Sequence, residues 1–200
     1  PDTLQEAMRY GVDPNNVREK TDLGRFGLGL KMASLSQCRQ LSVVSKKNGI
    51  ISACRWDLDF VISHNSWLLQ ILDYEDYSSL PQFDHLNELN SGTLVVWDKL
   101  DRLAGKSDNE SEILRDYLES SISYIGLYFH RFMDQSADSP VSIYLNNRRI
   151  EPADPFLIHH PTTPRTVRFP EQVCCIDGHE VRLTGYVLPP AYKLSAEQRK

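Results

Sequence analysis

A glycine-rich run near the start of the chain has the spacing best suited to binding chemistry. Gly24, Gly27 and Gly29 form a G-x-x-G-x-G pattern, and Lys31 follows two residues later. Glycine allows positive φ and lets backbone amides approach a ligand closely. Amides that begin a helix are unpaired donors, and the helix dipole favours an anion there. The run therefore predicts a phosphate-binding turn, to which Lys31 adds a positive charge.

Spacing separates this run from three other phosphate motifs. A P-loop ends in Gly-Lys-Ser/Thr, whereas Leu30 lies between Gly29 and Lys31 here. The residue after the lysine is Met32, which has no hydroxyl for a metal ion. The dinucleotide fingerprint, G-x-G-x-x-G after a strand, has the opposite glycine order, and a kinase glycine loop lies in a hairpin. By spacing alone, an ordinary glycine-rich turn fits these residues equally well.

The elements around the glycines are predicted to form one α/β layer pair. Residues 12–22 are polar and predict a loop before the glycines. Asn48-Gly49 is the strongest short hairpin signal in the chain. The predicted elements are a helix over residues 4–10 with Gly11 as C-cap, a helix over 30–35, strands over 40–45 and 50–56, and a buried strand over 92–97.

The second half of the chain has its own helix and strands. Apolar residues recur at helical spacing over residues 111–133, which predicts one long packed helix. Asp177-Gly178 predicts a second hairpin between residues 173–176 and 181–187. Residues 141–145 are predicted as a strand. Three segments before this half are also assigned: residues 67–72 as a strand or helix, 81–90 as a loop and 104–109 as a linker. This order predicts an α+β fold in two lobes that divide near residue 105.

Composition excludes several classes of protein. The 200 residues are 40% hydrophobic, which is enough for one sizeable core or two modest ones. A net charge of -5 is unlike the basic footprint of a dedicated nucleic-acid binder. No apolar run approaches the roughly 18–20 residues of a membrane span. The four cysteines form no C-x-x-C pair, so we expect no zinc site, no disulfide framework and a cytoplasmic setting.

The residues around the glycines resemble the ATP-lid motif of the GHKL ATPases, a superfamily that includes DNA gyrase B, heat-shock chaperone ATPases, histidine kinases and MutL. The segment reads Asp22-Leu23-Gly24-Arg25-Phe26-Gly27-Leu28-Gly29-Leu30-Lys31-Met32-Ala33-Ser34. It is most similar to the MORC-like branch and its prokaryotic relatives. Ser91-Gly92-Thr93 before an apolar strand resembles the later Gly-Thr motif of the superfamily. Residues 146–156 resemble the transducer-like second domain of this branch.

The resemblance implies a fold, a ligand and a mechanism. It implies the C-terminal part of a Bergerat-type α/β sandwich over residues 1–105, then part of a transducer-like α/β domain over 106–200. It also implies binding of ATP with Mg, slow hydrolysis, ordering of a lid over residues 12–24 and a nucleotide-dependent homodimer. A client protein or DNA partner stays open. The implied ATP-binding residues are Gly24, Arg25, Phe26, Gly27, Leu28, Gly29, Lys31 and, near the adenine, Thr93.

The resemblance also implies residues that this chain would lack. The superfamily places a glutamate general base and an asparagine metal ligand early in the domain. It then has an Asp-x-Gly-x-Gly segment whose aspartate reads the adenine amino group. All three would precede Pro1, so we expect the chain to be N-terminally truncated and not to be a complete ATPase alone. No metal ligand is assigned within it.

Several other charged residues have two interpretations. Two-domain members of the superfamily send a lysine from the second domain to the γ-phosphate, and Lys193 after Pro189-Pro190 is the candidate for this catalytic role. Lys99 is a weaker candidate, and Lys20 could reach a terminal phosphate. Each of these also fits a solvated surface lysine.

Two pairs of polar residues have no chemistry assigned to them. Asp57 and Asp59 are predicted on an exposed strand face, and His159-His160 are predicted as a loop pair without metal-ligand spacing.

Two further function classes remain as alternatives to the ATPase. A non-catalytic interaction module could keep the fold and lose nucleotide binding, although a purely structural loop has little need of three glycines. A histidine kinase is disfavoured because the sequence has no evident phospho-acceptor helical hairpin.

Overall fold

The structure is a computed structural model that describes residues 2–11, 27–101, 110–137, 139–158 and 165–195. The fold is mixed α+β, and the chain divides into two compact units, residues 1–114 and 115–200. The predicted linker over residues 104–109 lies outside the described residues. Among the helices that are described, none is long and apolar enough to cross a membrane.

The first unit is built on a four-stranded antiparallel sheet in the order β3-β2-β1-β4. Its strands are β1 (Gln40–Lys47), β2 (Ile50–Asp57), β3 (Gln70–Ile71) and β4 (Gly92–Asp98). The predicted hairpin between β1 and β2 is confirmed. Asn48 and Gly49 adopt φ values of 51° and 80°, as a tight two-residue turn requires.

Helices and loops bury both faces of this sheet. The helices are α1 (Asp2–Met8), α2 (Gly29–Leu35), α3 (Leu58–His64), α4 (Tyr74–Ser78) and α5 (Phe83–Glu88). The front face is defined here by Leu41, Val43, Cys54 and Trp56, which pack with Met8, Leu35 and Cys38. The back face carries Val44, Ala53 and Val96, which pack with Leu72, Leu80, Phe83 and Leu86. The helix predicted after Gly29 therefore packs against the predicted hairpin, as expected.

Several predictions for the first unit are wrong. Residues 81–90 contain α5, because Phe83 and Leu86, three residues apart on one helix face, bury together on the back face. The strand over Gly92–Asp98 is an edge strand and not a buried one. Within the described residues β4 pairs only with β1, which leaves Val95 and Trp97 exposed. In residues 67–72 only Gln70–Ile71 pairs as a strand.

The second unit combines helices with short strand pairs. Its helices are α6 (Glu110–Tyr128), which begins just before the boundary between the units, α7 (His130–Met133) and a 3-10 turn over Ala191–Lys193. Three two-stranded antiparallel pairs follow: β5 (Tyr144–Leu145) with β6 (Arg148–Arg149), β7 (Val167–Arg168) with β10 (Tyr186–Val187), and β8 (Gln172–Ile176) with β9 (His179–Leu183).

The long helix predicted for residues 111–133 is interrupted. It ends at Tyr128, and Phe129 leaves helical geometry at φ -101° and ψ 9° before α7 begins. The hairpin predicted at Asp177-Gly178 is confirmed, with φ values of 50° and 80°. The strand predicted for residues 141–145 is reduced to Tyr144–Leu145.

Candidate nucleotide-binding site

The described part of the glycine run begins at a left-handed residue. Gly27 has φ 62°, a conformation in which a side chain would be strained. Leu28 then returns to right-handed geometry as the N-cap of α2, and α2 begins at Gly29. Gly24, Arg25 and Phe26 lie outside the described residues, as do Lys20 and the predicted lid. Gly27 and Leu28 thus form a turn that leads directly into the helix that begins at Gly29.

The start of α2 has free backbone donors. Its N-cap residue Leu28 makes no side-chain cap, and the first backbone hydrogen bond among the described residues runs from the Met32 amide to the Leu28 carbonyl at 2.9 Å. Within the described residues, the amides of Gly29, Leu30 and Lys31 have no backbone acceptor. Gly29 and Leu30 are exposed. Unpaired amides of this kind at the positive end of a helix dipole suit an anion.

The side chain of Lys31 contacts the C-terminal end of α1. It is only 3% exposed, and its Nζ donates a hydrogen bond to the Ala7 carbonyl of α1 at 2.8 Å. Burial lowers the pKa of this lysine. The neighbouring Met8 carbonyl accepts a 2.9 Å hydrogen bond from Trp56 Nε1. The ammonium of Lys31 therefore holds α2 against the C-terminal end of α1, where the helix dipole favours a cation.

Thr93 lies on the same sheet face as α2. Strand side chains alternate between faces, and the pairs Leu41↔Trp97 and Val43↔Val95 place the odd-numbered residues of β4 on the front. Trp97 Nε1 donates a 2.9 Å hydrogen bond to Ser34 Oγ on α2. Thr93 is exposed, and its hydroxyl oxygen is 3.4 Å from that of Ser45. The helix that follows the glycine turn and the threonine of the Gly-Thr motif thus lie on the same face of the sheet.

Sequence reasoning missed Val95 and Trp97 as members of this surface. They are 42% and 40% exposed and share the front face with Thr93. The period-2 alternation from Thr93 would have placed them there. It was overlooked because residues 92–97 look like a strand buried on both faces. The hydrogen bond between Trp97 and Ser34 has no local sequence signal, since 63 residues separate them.

Lys99 belongs to a charge cluster. Its Nζ lies 3.2 Å from Asp57 Oδ2 and 2.8 Å from Asp59 Oδ2, and Arg39 also binds Asp59 at 2.6 Å. The two aspartates are not on one strand face as predicted, because β2 ends at Asp57. Asp57 caps α3 by accepting from the amides of Asp59 and Phe60. The cluster joins the ends of three strands and holds the Lys99 ammonium there.

These contacts set the pKa values of the two carboxyl groups. Hydrogen bonds from Lys99 and then from Arg39 lower the pKa of Asp59. Burial acts to raise the pKa of Asp57, but hydrogen bonds from Lys99, the Asp59 amide and Gln40 outweigh it, and this pKa is lowered as well. Both groups therefore favour the ionised form that their ion pairs require.

Lys193 ends the 3-10 turn Ala191–Lys193 of the second unit, and its amide bonds the Pro190 carbonyl at 2.9 Å. Its role at a γ-phosphate stays a prediction. His159 and His160 lie outside the described residues. Among the residues that are described, no group of three or more His, Cys, Asp or Glu side chains is arranged to hold a metal ion.

Comparison with known proteins supports a nucleotide site in the first unit. Residues 1–93 match the family model of the histidine kinase-, DNA gyrase B-, and HSP90-like ATPases. The match includes the glycine turn, α2 and the sheet up to Thr93. No curated protein sequence matches the chain. The first unit is therefore similar to a GHKL-type ATP-binding domain over most of its length.

Proposed function

We propose that the protein is a cytoplasmic GHKL-type ATPase whose first unit binds ATP. The observation that carries the proposal is the pairing of two motifs on one sheet face. The left-handed turn at Gly27 with the uncapped start of α2 and the exposed Thr93 both belong to the front side of the sheet. Both also lie within the segment that matches the ATPase family model.

The chemical groups that each part of the site offers suggest which part of ATP it binds. Free amides of residues 29–31 suit phosphate oxygens, since charge-assisted hydrogen bonds are the strong ones. Thr93 offers a hydroxyl to a base edge, and Val95 and Trp97 offer apolar surface to its ring. Hydrolysis, nucleotide-driven closure and homodimer formation belong to the same proposal. The described residues include no cluster suited to Mg, so we derive no step through that ion.

Calorimetry with a non-hydrolysable ATP analogue on the full-length protein tests the proposal. Gly27→Val should abolish binding, because a β-branched residue resists positive φ and blocks close approach of the phosphate. Gly178→Val is the matched control, since Gly178 also has positive φ but turns the hairpin of the second unit. Its binding should match wild type. Equal binding by a folded Gly27→Val variant would show that the glycines form only a turn.

Absence of ATP binding by the folded full-length protein would favour the alternative, a non-catalytic interaction module with the same fold.

The proposed role of Lys193 has its own test. A lysine that contacts only the γ-phosphate in the transition state contributes to turnover more than to ground-state binding. Lys193→Ala should therefore lower kcat of the full-length protein more than it weakens ATP affinity. Steady-state kinetics beside calorimetry separates the two effects. Wild-type turnover would remove Lys193 from the catalytic site.

A further inference from the structure

The second unit contains a cavity that none of the predicted nucleotide-site residues lines. Its volume is ≈ 950 Å³, within the range of small-molecule sites. Its walls come from α7, from the segment around residues 149–158, and from β7, β9 and β10. Four arginines and four carboxylates line it together with Phe156 and Tyr186. The arrangement of these charges, and not their sum, determines what it can bind.

Three of the guanidinium groups have no carboxylate partner among the described residues. Arg131 comes from α7, Arg149 from β6 and Arg168 from β7, and all three are exposed. Within the part of the chain that the structure describes, none of them forms an ion pair. The fourth, Arg182, is bound at 3.3 Å to Glu171 and at 2.7 Å to Glu180. Three forked donors from three different elements thus line one cavity.

An aromatic stack links two of these arginines. The Arg131 guanidinium lies 5.8 Å from the centroid of the Phe156 ring. Phe156 in turn stacks on Tyr186 at 4.3 Å with an interplanar angle of 29°. Tyr186 is directly opposite Arg168 in the β7–β10 pair. A cation–π contact orients a guanidinium while its N–H edge stays available to an acceptor.

Most carboxylates of the cavity are already used as acceptors. Asp154 accepts hydrogen bonds from the amides of Phe156 and Ile158 at 2.9 and 2.6 Å. Glu171 binds Arg182, and Asp134 accepts from the amide and hydroxyl of Ser136. Among the described residues of the cavity, Glu151 is the remaining carboxylate, against three guanidiniums without an ion pair there. The free groups of the cavity are therefore mainly donors with positive charge.

We propose that this cavity binds a small organic polyanion, whose phosphate or carboxylate groups pair with Arg131, Arg149 and Arg168. Planar guanidiniums bind both groups through two parallel N–H···O bonds. The volume accommodates an organic ligand and exceeds what a lone inorganic ion needs. This proposal is independent of the proposed ATP site, because no residue of that site takes part in it.

Isothermal titration calorimetry of the full chain tests the proposal, with an organic bisphosphate (fructose 1,6-bisphosphate) and citrate as separate probes. We expect a Kd below about 1 mM for at least one of them. The more tightly bound probe distinguishes phosphate from carboxylate chemistry. Substitution of Arg131, Arg149 or Arg168 by Gln should weaken binding about tenfold or more. Arg115→Gln is the matched control, since this exposed arginine of the same unit does not line the cavity, and its affinity should equal wild type.

Two outcomes would overturn the proposal. One is no binding of either probe by the folded wild-type chain. The other is a loss of affinity in Arg115→Gln as large as in the cavity variants, which would indicate non-specific attraction. If a Gln variant fails to fold, Arg168→Lys keeps the charge and removes the planar fork. It should bind more weakly than wild type, and undiminished affinity would contradict the pairing.

Discussion

The two units differ in how they hold their candidate binding residues. In the first, one sheet is packed on both faces, and the described nucleotide-site residues lie in the turn before α2, on α2 or on β4. In the second, the described residues form three separate strand pairs and no continuous sheet. Its buried hydrophobic side chains among the described residues are Met133, Ile150 and Leu194. The comparison teaches that the first site depends on the core of its unit, whereas the cavity of the second depends on contacts between short elements with little buried core.

The largest effect is expected in the core of the first unit. Leu41 is 0% exposed on the front face, and Leu41→Ala should cost about 2–5 kcal/mol of unfolding free energy through lost burial and a residual cavity. Denaturation followed by tryptophan fluorescence reports this unit, because Trp56, Trp67 and Trp97 all lie in it. Leu183→Ala, at an exposed leucine of the second unit, should change the unfolding free energy measured by far-UV circular dichroism by less than about 0.5 kcal/mol. Similar losses of unfolding free energy at both positions would contradict the proposed difference between the two units.

A glycine in the second unit should give the next largest effect. A Cβ at Gly126 would lie 2.8 Å from the Glu151 carbonyl oxygen, while the Gly126 carbonyl accepts from the Ala153 amide at 2.9 Å. Gly126→Ala should therefore cost about 1–3 kcal/mol, even though alanine favours a helix. Thermal denaturation followed by far-UV circular dichroism measures it. A more stable variant would show that the backbone of residues 151–153 moves to accommodate the added methyl group at little cost.

Acid should weaken the first unit at its charge cluster. The folded-state pKa values of Asp57 and Asp59 are lowered, so their contribution is present above the unfolded value of about 4 and is lost as pH falls through the folded values. The denaturation midpoint of this unit should fall on acidification, and Asp59→Asn should reduce that fall. Asp84→Asn is the control, at an exposed aspartate of α5. Identical pH profiles for wild type and Asp59→Asn would remove the cluster as a source of stability.

The smallest effect on stability, with a separate effect on binding, is expected at Gly29. Its φ is not left-handed, and a Cβ there meets nothing within 4 Å. Gly29→Ala should leave stability unchanged or raise it by at most about 1 kcal/mol. In the full-length protein, the added methyl group should still weaken ATP binding if phosphate approaches this backbone. Unchanged affinity would move the phosphate away from Gly29.

Local rules predicted the parts of the fold that depend on a few adjacent residues. Asn48-Gly49 and Asp177-Gly178 gave hairpins because positive φ at two consecutive positions selects one turn. The helix after Gly29 followed from its apolar spacing. In contrast, α5 was missed because its short apolar pair gains burial only when the sheet is present.

The candidate sites needed contacts that sequence spacing does not encode. Lys31 sits beside the predicted phosphate turn, yet its ammonium bonds a carbonyl 24 residues away. In the second unit, Phe156 links Arg131 to Tyr186. Each contact depends on tertiary packing that brings distant segments together. The sequence could therefore name the residues as candidates, but it could not predict which groups their side chains contact.

The two carbonyl bonds at the end of α1 have a consequence for variation in chain length. Lys31 and Trp56 hold the Ala7 and Met8 carbonyls, so the separation between α1 and α2 is fixed by contacts outside the residues that connect them. Loop-closure entropy grows slowly with length, at about 0.6 kcal/mol for each doubling. Insertions between residues 11 and 22, before the glycine run, should therefore leave α1 and α2 at the same separation. Homologues could thus differ in the length of this segment while both of these helices keep their positions against the sheet.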